Sequence, residues 1–149
     1  MGKLASFFAL DWADRHATVE ALCDLALAQL RLRMVAPRRW RSHFGPVAAG
    51  DDSSPLAPDL IEPVRRVRLA VARAARNLPT DPICLPQALA ARQMLARRGI
   101  VSSLFIGTQR DAAGVLRFHA WLKVGPEWVT GLCDETRYTL LVPGAPEPA

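Results

Sequence analysis

The chain has few cysteines, and their spacing matches no common metal site. Cys23, Cys84 and Cys133 lie far apart and are odd in number, whereas zinc sites use close cysteine pairs and disulfide frameworks use even sets. Internal repeats, a phosphate-binding glycine loop and clusters of metal-ligating residues are also missing from the sequence. We therefore expect reduced thiols, a cytoplasmic location, and no metal or other cofactor.

Long uncharged apolar runs are missing too. The apolar run at the amino terminus stops at Asp11 and Asp14, before it reaches the length of an export signal, so we expect no secretion. The helical segment that follows contains charged residues such as Asp24 and Arg31. Those charges exclude a membrane span.

The composition is that of one globular domain with an excess of positive charge. Half of the 149 residues are hydrophobic, and 19 lysines and arginines against 14 acids give a net charge of +5. This charge suits an acidic partner or peptide. Nucleic acid is the weaker alternative, because the arginines between residues 65 and 76 are accompanied by no interleaved aromatics or known reading motif. We expect no nucleic-acid partner.

Apolar residues recur at helical spacing between Asp14 and Val35 and predict an amphipathic helix. The apolar stripe of this helix consists of Val19, Leu22, Ala26, Leu30 and Met34. We expect the helix to pack in the core. The alternative is that it docks on a partner or a membrane surface through Trp12, Phe7 and Phe8.

Five prolines between Pro37 and Pro63 predict a long loop. Pro63 is then expected to open a second helix, since proline is favoured in a first helical turn. One face of that helix carries Val64, Val67, Val71 and Ala74. We expect a single domain in which residues 1–63 form a helical lobe with a proline-rich loop, 64–142 form the catalytic core, and 143–149 form a flexible tail.

A third helix is predicted from Cys84 to Arg98, followed by strands only. The strand candidates are Ile100–Thr108, Leu116–Val124, Glu127–Leu132 and Tyr138–Val142, with a hairpin turn at Asp111–Gly114. The expected fold class is α+β. In it, an amino-terminal helical lobe precedes a nucleophile helix packed on a small antiparallel sheet.

Cys84 and His119 are the candidate nucleophile and base. Cys84 lies between Pro82 and Pro86, at a predicted helix start, where unpaired amides and the positive end of the helix dipole favour a thiolate. His119 lies in a predicted strand, and its protonated ring would favour the thiolate further. The alternative is that Cys84 is core filler and His119 a surface ring.

A third group is needed to orient the imidazole. Asp134 follows the strand predicted after His119, and antiparallel neighbours would bring the two side chains together. Glu135 and Glu127 are rival acids.

Three segments of the sequence carry a resemblance to a known family. These are the run from Cys84-Leu85-Pro86 to Gly99-Ile100, then Phe105-Ile106-Gly107, then His119-Ala120-Trp121. They resemble the B2 proteins of lasso-peptide biosynthesis, whose fold is transglutaminase-like and related to that of papain-like proteases. The resemblance implies a leader peptidase that acts on a ribosomally made precursor peptide. It also implies a separate B1-type leader-recognition protein and a lasso cyclase as partners.

The same resemblance implies roles for individual residues. Cys84 matches the nucleophile and His119 the base. In some members the acid follows the histidine by about a dozen residues, which falls near Gly131, so assigning it to Asp134 needs a small shift in register. Two alternatives stay open: acyl transfer to an amine, and a non-catalytic scaffold for the cyclase in which Cys84 is buried and inert.

Overall fold

The computed structural model of the chain describes residues 7–34, 54–78 and 84–141. It contains, in order, α1 (Trp12–Met34), α2 (Pro58–Asn77), α3 (Cys84–Arg97), β1 (Ser103–Arg110), β2 (Leu116–Val124), β3 (Glu127–Thr130) and β4 (Thr139–Leu140). The predicted α+β class is confirmed. Much of the predicted proline-rich loop and the predicted tail 143–149 lie outside the described residues. None of the described helices is both long and apolar enough to cross a membrane.

Helix α1 packs in the core, but through a face other than the predicted one. Its buried residues are Ala17, Thr18, Ala21, Leu25 and Ala28, whereas Val19, Leu30 and Met34 of the predicted stripe are exposed. Alanines let the backbone of α1 approach α2 and α3 closely. Ion pairs at the edges of this face then fix the rotation of the helix, because Asp14 binds Arg66 and Arg73 of α2.

Helix α2 begins earlier than predicted. Pro58 occupies its first turn and Ala57 precedes it in an extended conformation, so Pro63 lies inside the helix and does not open it. Proline at that position removes one backbone hydrogen bond near the amino terminus, which a helix tolerates better there than in its middle. The predicted inward face is confirmed, since Val64, Val67, Val71 and Ala74 are buried.

Helix α3 joins the other helices to the sheet. It starts at Cys84 as predicted and ends at Arg97, one residue before the predicted end. Its buried residues Ala88, Met94 and Leu95 belong to one apolar cluster with Leu104 of β1 and residues of α1, α2, β2 and β3. Helix α3 therefore packs against the sheet through these residues.

The four strands form one antiparallel sheet in the order β3-β2-β1-β4. Strand β2 has the predicted bounds, and the predicted hairpin before it is confirmed. In that turn the Asp111 carboxylate accepts hydrogen bonds from the amides of Ala113 and Val115, as aspartate commonly does in turns. Strands β3 and β4 are shorter than predicted. As a result, β3 covers only the last part of β2, where Leu122 pairs with Thr130.

Candidate active site

Cys84 is the first residue of α3 and lies against the uncovered edge of β2. Its Sγ accepts a hydrogen bond from the backbone amide of Ala120 at 3.3 Å. Because β3 ends at Thr130, opposite Leu122, the preceding part of β2 has room for the thiol beside its backbone. An amide donor stabilises a thiolate more than a thiol, since the interaction grows with the charge on sulfur.

His119 immediately precedes the residue that binds Cys84. Its Nε2 lies 2.8 Å from the carbonyl oxygen of Gly131. A carbonyl oxygen only accepts hydrogen bonds, so Nε2 must carry the proton and, in the neutral ring, Nδ1 holds the free lone pair. The contact therefore selects the tautomer in which Nδ1 can act as a base.

Gly131 brings its carbonyl to the imidazole because it has no side chain. Its φ is +71°, a backbone conformation that glycine adopts without strain. A Cβ at this position would lie 2.4 Å from the carbonyl oxygen of Ala120 and 2.9 Å from the Cβ of Trp121. The close approach of this turn to β2 thus requires glycine.

Two aromatic rings contact the imidazole. The ring centroids of Trp121 and Tyr138 lie 5.9 Å and 5.4 Å from that of His119, and the buried Trp121 also stacks on Phe105. Gly107 pairs with His119 across the sheet, and a Cβ there would lie 2.9 Å from the Cβ of Tyr138. Glycine at 107 therefore makes the space in which Tyr138 packs beside His119.

The predicted acid, Asp134, does not hydrogen-bond His119 in this structure. Its Oδ1 accepts from the hydroxyl of Thr136 at 2.6 Å and from the amide of the same residue at 3.2 Å. The side-chain and backbone hydrogen bonds from Thr136 lower the pKa of Asp134. The structure thus places the Cys84 sulfur on the amide of Ala120, the residue after His119, while Asp134 caps the short 3-10 turn at Glu135–Arg137.

The two rival acids lie in different surroundings. Glu135 Oε1 accepts from Trp121 Nε1 at 2.9 Å and from Lys123 Nζ at 3.4 Å, so it anchors the indole that contacts His119. Glu127 is exposed and pairs with Val124 at the opposite end of β3. Of the two, Glu135 is the one linked to the imidazole, and the link runs through Trp121.

The other two cysteines differ from Cys84. Burial raises the pKa of Cys133, and the nearby carboxylates of Glu135 and Asp134 and the sulfur of Cys84 raise it further. Cys23 is exposed on α1. No cluster of three or more possible metal ligands occurs among the described residues.

The sequence predicts the thiol and the imidazole as candidates, but it does not predict the Gly131 carbonyl that accepts from the imidazole. Gly131 lies twelve residues after His119, where some relatives of the resembled family have their acid. A glycine at the end of a predicted strand often marks a close backbone approach. This glycine is the sequence feature that could have indicated the acceptor, because any residue type can supply a main-chain carbonyl.

Comparison with known proteins identifies a family for the chain. A model of the transglutaminase-like superfamily matches residues 26–142, a range that includes Cys84, His119 and Gly131. Searches of curated proteins and of solved structures gave no match. The superfamily generally contains cysteine-protease-like enzymes, and the match extends over most of the chain. The chain therefore belongs to the transglutaminase-like superfamily.

Proposed function

We propose that this chain is a cysteine peptidase that removes the leader from a ribosomally made precursor, as the B2 proteins of lasso-peptide biosynthesis do. One observation carries the peptidase part. Cys84 Sγ accepts an amide hydrogen bond from Ala120, and the neighbouring His119 has its Nε2 bound to a carbonyl, which leaves Nδ1 as the base. The resemblance of Cys84-Leu85-Pro86 and His119-Ala120-Trp121 to that family supports the substrate.

In the first half of the reaction, Nδ1 of His119 takes the proton of the Cys84 thiol. The thiolate then attacks the carbonyl carbon of the scissile peptide bond and forms a tetrahedral oxyanion. The amides of Cys84 and Leu85 lie in the first turn of α3, where they have no intrahelical acceptor and can donate to this oxygen. The C–N bond breaks, and His119 returns its proton to the leaving amine.

In the second half, water replaces the amine. The leader is now a thioester on Cys84, and Nδ1 of His119 takes a proton from the water that attacks it. Collapse of the second tetrahedral species breaks the C–S bond, frees the leader carboxylate and gives the proton to Cys84. If an amine attacks in place of water, the same intermediate yields acyl transfer, the reaction of transglutaminases.

The proposed partners follow from the same pathway. The precursor is the substrate, a B1-type recognition protein presents the leader, and a cyclase uses the freed amine to close a macrolactam. Recognition domains of this kind bind a leader as an added strand at a sheet edge. In the described part of the chain every strand follows Cys84, which supports assigning leader recognition to a separate protein in the same cytoplasm.

The proposal expects a short precursor peptide to be encoded beside the gene of this chain, and the test uses that peptide. Wild-type protein is expected to release leader and core as two masses whose sum exceeds the precursor by one water. Cys84→Ala should fold, as judged by circular dichroism, and leave the precursor intact, while Cys133→Ala serves as the control that retains cleavage.

Two outcomes would contradict the proposal. Cleavage by Cys84→Ala at the wild-type rate would show that Cys84 is not the nucleophile and would favour the scaffold alternative. Transfer of the leader to an added primary amine in preference to water would identify an acyltransferase.

A further inference from the structure

Helix α1 has two apolar faces on opposite sides. The inner face, with Ala17, Ala21 and Leu25, is buried against α2 and α3. The outer face carries Trp12, His16, Val19, Cys23, Ala26 and Leu30, and we call these six residues the outer stripe. At 3.6 residues per turn, Val19 and Ala21 point in nearly opposite directions. Burial in the core of this chain therefore explains only one of the two faces.

The outer stripe is exposed although five of its six residues, all but His16, are apolar. Trp12 is 75% exposed, Val19 49% and Leu30 53%, and Met34 beyond its end is 76% exposed. Its residues follow each other at alternating intervals of four and three, the spacing of a seam where one helix packs along another. A continuous exposed apolar surface of this kind marks a binding site more often than solitary exposed residues do.

Within α1, the charged side chains that border the outer stripe and form no ion pair with a described residue have one sign. All three carboxylates of α1 are bound by arginines of α2, of α3 or of the residue that follows α3: Asp14 by Arg66 and Arg73, Glu20 by Arg97 and Arg98, and Asp24 by Arg97. The arginines of α1, by contrast, lie at the borders of the outer stripe, at Arg15, Arg31 and Arg33. A ligand on this surface meets positive charge on its flanks.

We infer that the outer stripe binds an amphipathic helix of another protein, whose apolar seam is bordered by aspartates or glutamates. The inference goes beyond the proposed function and does not depend on it, because the outer stripe contains no residue of the candidate active site. Opposite charges at the borders of a helix pair select the partner and its orientation. A seam with acidic borders complements both the apolar spacing and the arginines.

Two other occupants fit the surface less well. A second copy of this chain would bring the same border arginines and the same occupied carboxylates, so its charges would repel. A bilayer would favour large apolar side chains along the whole stripe, but Cys23 and Ala26 in its middle are small. Small residues at the centre of a seam let a second helix approach closely, which favours the helix.

A cavity next to the outer stripe can hold an anchor residue of the partner. Its volume is about 520 Å³, and it is lined by Trp12, Ala13, His16, Leu60, Pro63 and Ile100 together with two arginines, Arg66 and Arg98. Helix interfaces gain much of their affinity from one large side chain that fills such a pocket. The partner helix is therefore expected to carry an aromatic or leucine side chain at this end.

The test is binding of a synthetic three-heptad peptide with a leucine and alanine seam bordered by glutamates, measured by fluorescence anisotropy with the full chain. We expect it to bind at least about tenfold more tightly than a peptide with lysines at the border positions. Val19→Glu with Leu30→Glu should abolish binding, and Val115→Glu, an exposed valine in the β1–β2 hairpin, should not. Replacing Arg31 and Arg33 by glutamate should reverse the preference between the two peptides.

Several results would overturn the inference. Equal binding of both peptides, or binding of neither, would remove the charge argument. Self-association, or binding to vesicles of phosphatidylserine and phosphatidylcholine, that is lost in the Val19→Glu, Leu30→Glu variant would assign the surface to a second copy or to a membrane. A clear fall in the Tm of that variant would show that the outer stripe is already packed within the chain.

Discussion

The acceptor that orients His119 is a neutral carbonyl. A carboxylate at this position would orient the ring and also stabilise the imidazolium that forms during catalysis. The carbonyl of Gly131 fixes the tautomer and the ring direction but supplies only a dipole. The carbonyl can orient the ring only while the backbone of residue 131 stays close to β2. That close approach is possible because residue 131 is a glycine and has no Cβ.

Gly131→Ala tests this dependence. The added methyl would meet the backbone of β2, so the turn must shift and carry its carbonyl away from Nε2 of His119. We expect kcat for precursor cleavage to fall on the order of 100-fold, the effect of an approximately 1 Å misplacement in a catalytic site. Gly114→Ala is the matched control, because Gly114 also has a positive φ but has open space around its Cβ position. Similar losses in both variants would show that backbone strain, and not the Gly131 carbonyl, is responsible.

Asp134→Asn measures what the predicted acid contributes. Since the hydrogen bonds of Asp134 run to Thr136, and asparagine caps such turns as well as aspartate, we expect kcat to change by less than about tenfold. Glu135→Gln should have the larger effect, because it weakens the anchor of Trp121 beside His119. Glu127→Gln serves as the control for a surface carboxylate. A loss of several orders of magnitude in Asp134→Asn, with the fold intact, would show that Asp134 acts directly on His119 during turnover.

The two partly buried thiols should differ in their rate of alkylation. Cys84 receives an amide hydrogen bond, whereas burial and neighbouring negative charge raise the pKa of Cys133 and so reduce its thiolate fraction at pH 7. In a Cys23→Ser background, which removes the exposed thiol, iodoacetamide should modify Cys84 first, as followed by peptide mass mapping. Faster modification of Cys133 would contradict a reactive Cys84.

At the scale of single elements, sequence patterns predict type better than orientation. The predicted bounds of β2 are correct, because the turn signal at Asp111 and the apolar residues that follow it both indicate a strand in the same place. The prediction of which face of α1 points inward is wrong, since apolar residues lie on two faces of the helix and spacing alone does not distinguish them. Its buried alanines and the ion pairs with α2 and α3 decide the orientation, and these are properties of the packed molecule.

The ion pairs between α1 and α3 should make stability depend on pH. Burial alone would raise the pKa of Glu20, but hydrogen bonds from Arg98 and Arg97 outweigh it and the pKa is lowered. The contribution is thus fully present above the unfolded-state pKa of about 4.3 and is lost as pH falls through the lower folded-state value. We expect Glu20→Gln to cost ~1 kcal/mol at pH 7, or roughly 2–4 °C in Tm.

Thermal denaturation at several pH values measures this effect. The difference in Tm between wild type and Glu20→Gln should shrink below about pH 4. Glu62→Gln is the control, because Glu62 forms more exposed pairs within α2. A difference that stays constant down to low pH would show that Glu20 acts through packing and not through its charge.

For the whole molecule, the fold class follows from the order of sequence patterns, in which helices precede strands. The candidate site does not follow from that order alone. The site requires α3 to begin beside the part of β2 that β3 does not cover. There the amide of Ala120 can donate to Cys84. Strand length and helix placement come from the shared apolar core, so sequence spacing alone does not determine them.

The proposal that a separate protein recognises the leader makes a prediction about the complete system. All described strands follow Cys84 and form the sheet that contains His119. The part of the β2 edge that β3 leaves uncovered is occupied by the thiol of Cys84. The purified chain should therefore cleave the precursor slowly, and the B1-type recognition protein should raise the rate by increasing the local concentration of leader, an effect that reaches the order of mM for tethered ligands. The measurement is cleavage rate against recognition-protein concentration, with a precursor lacking the leader-binding segment as the control. Full-rate, leader-dependent cleavage by the chain alone would instead place leader recognition within these 149 residues.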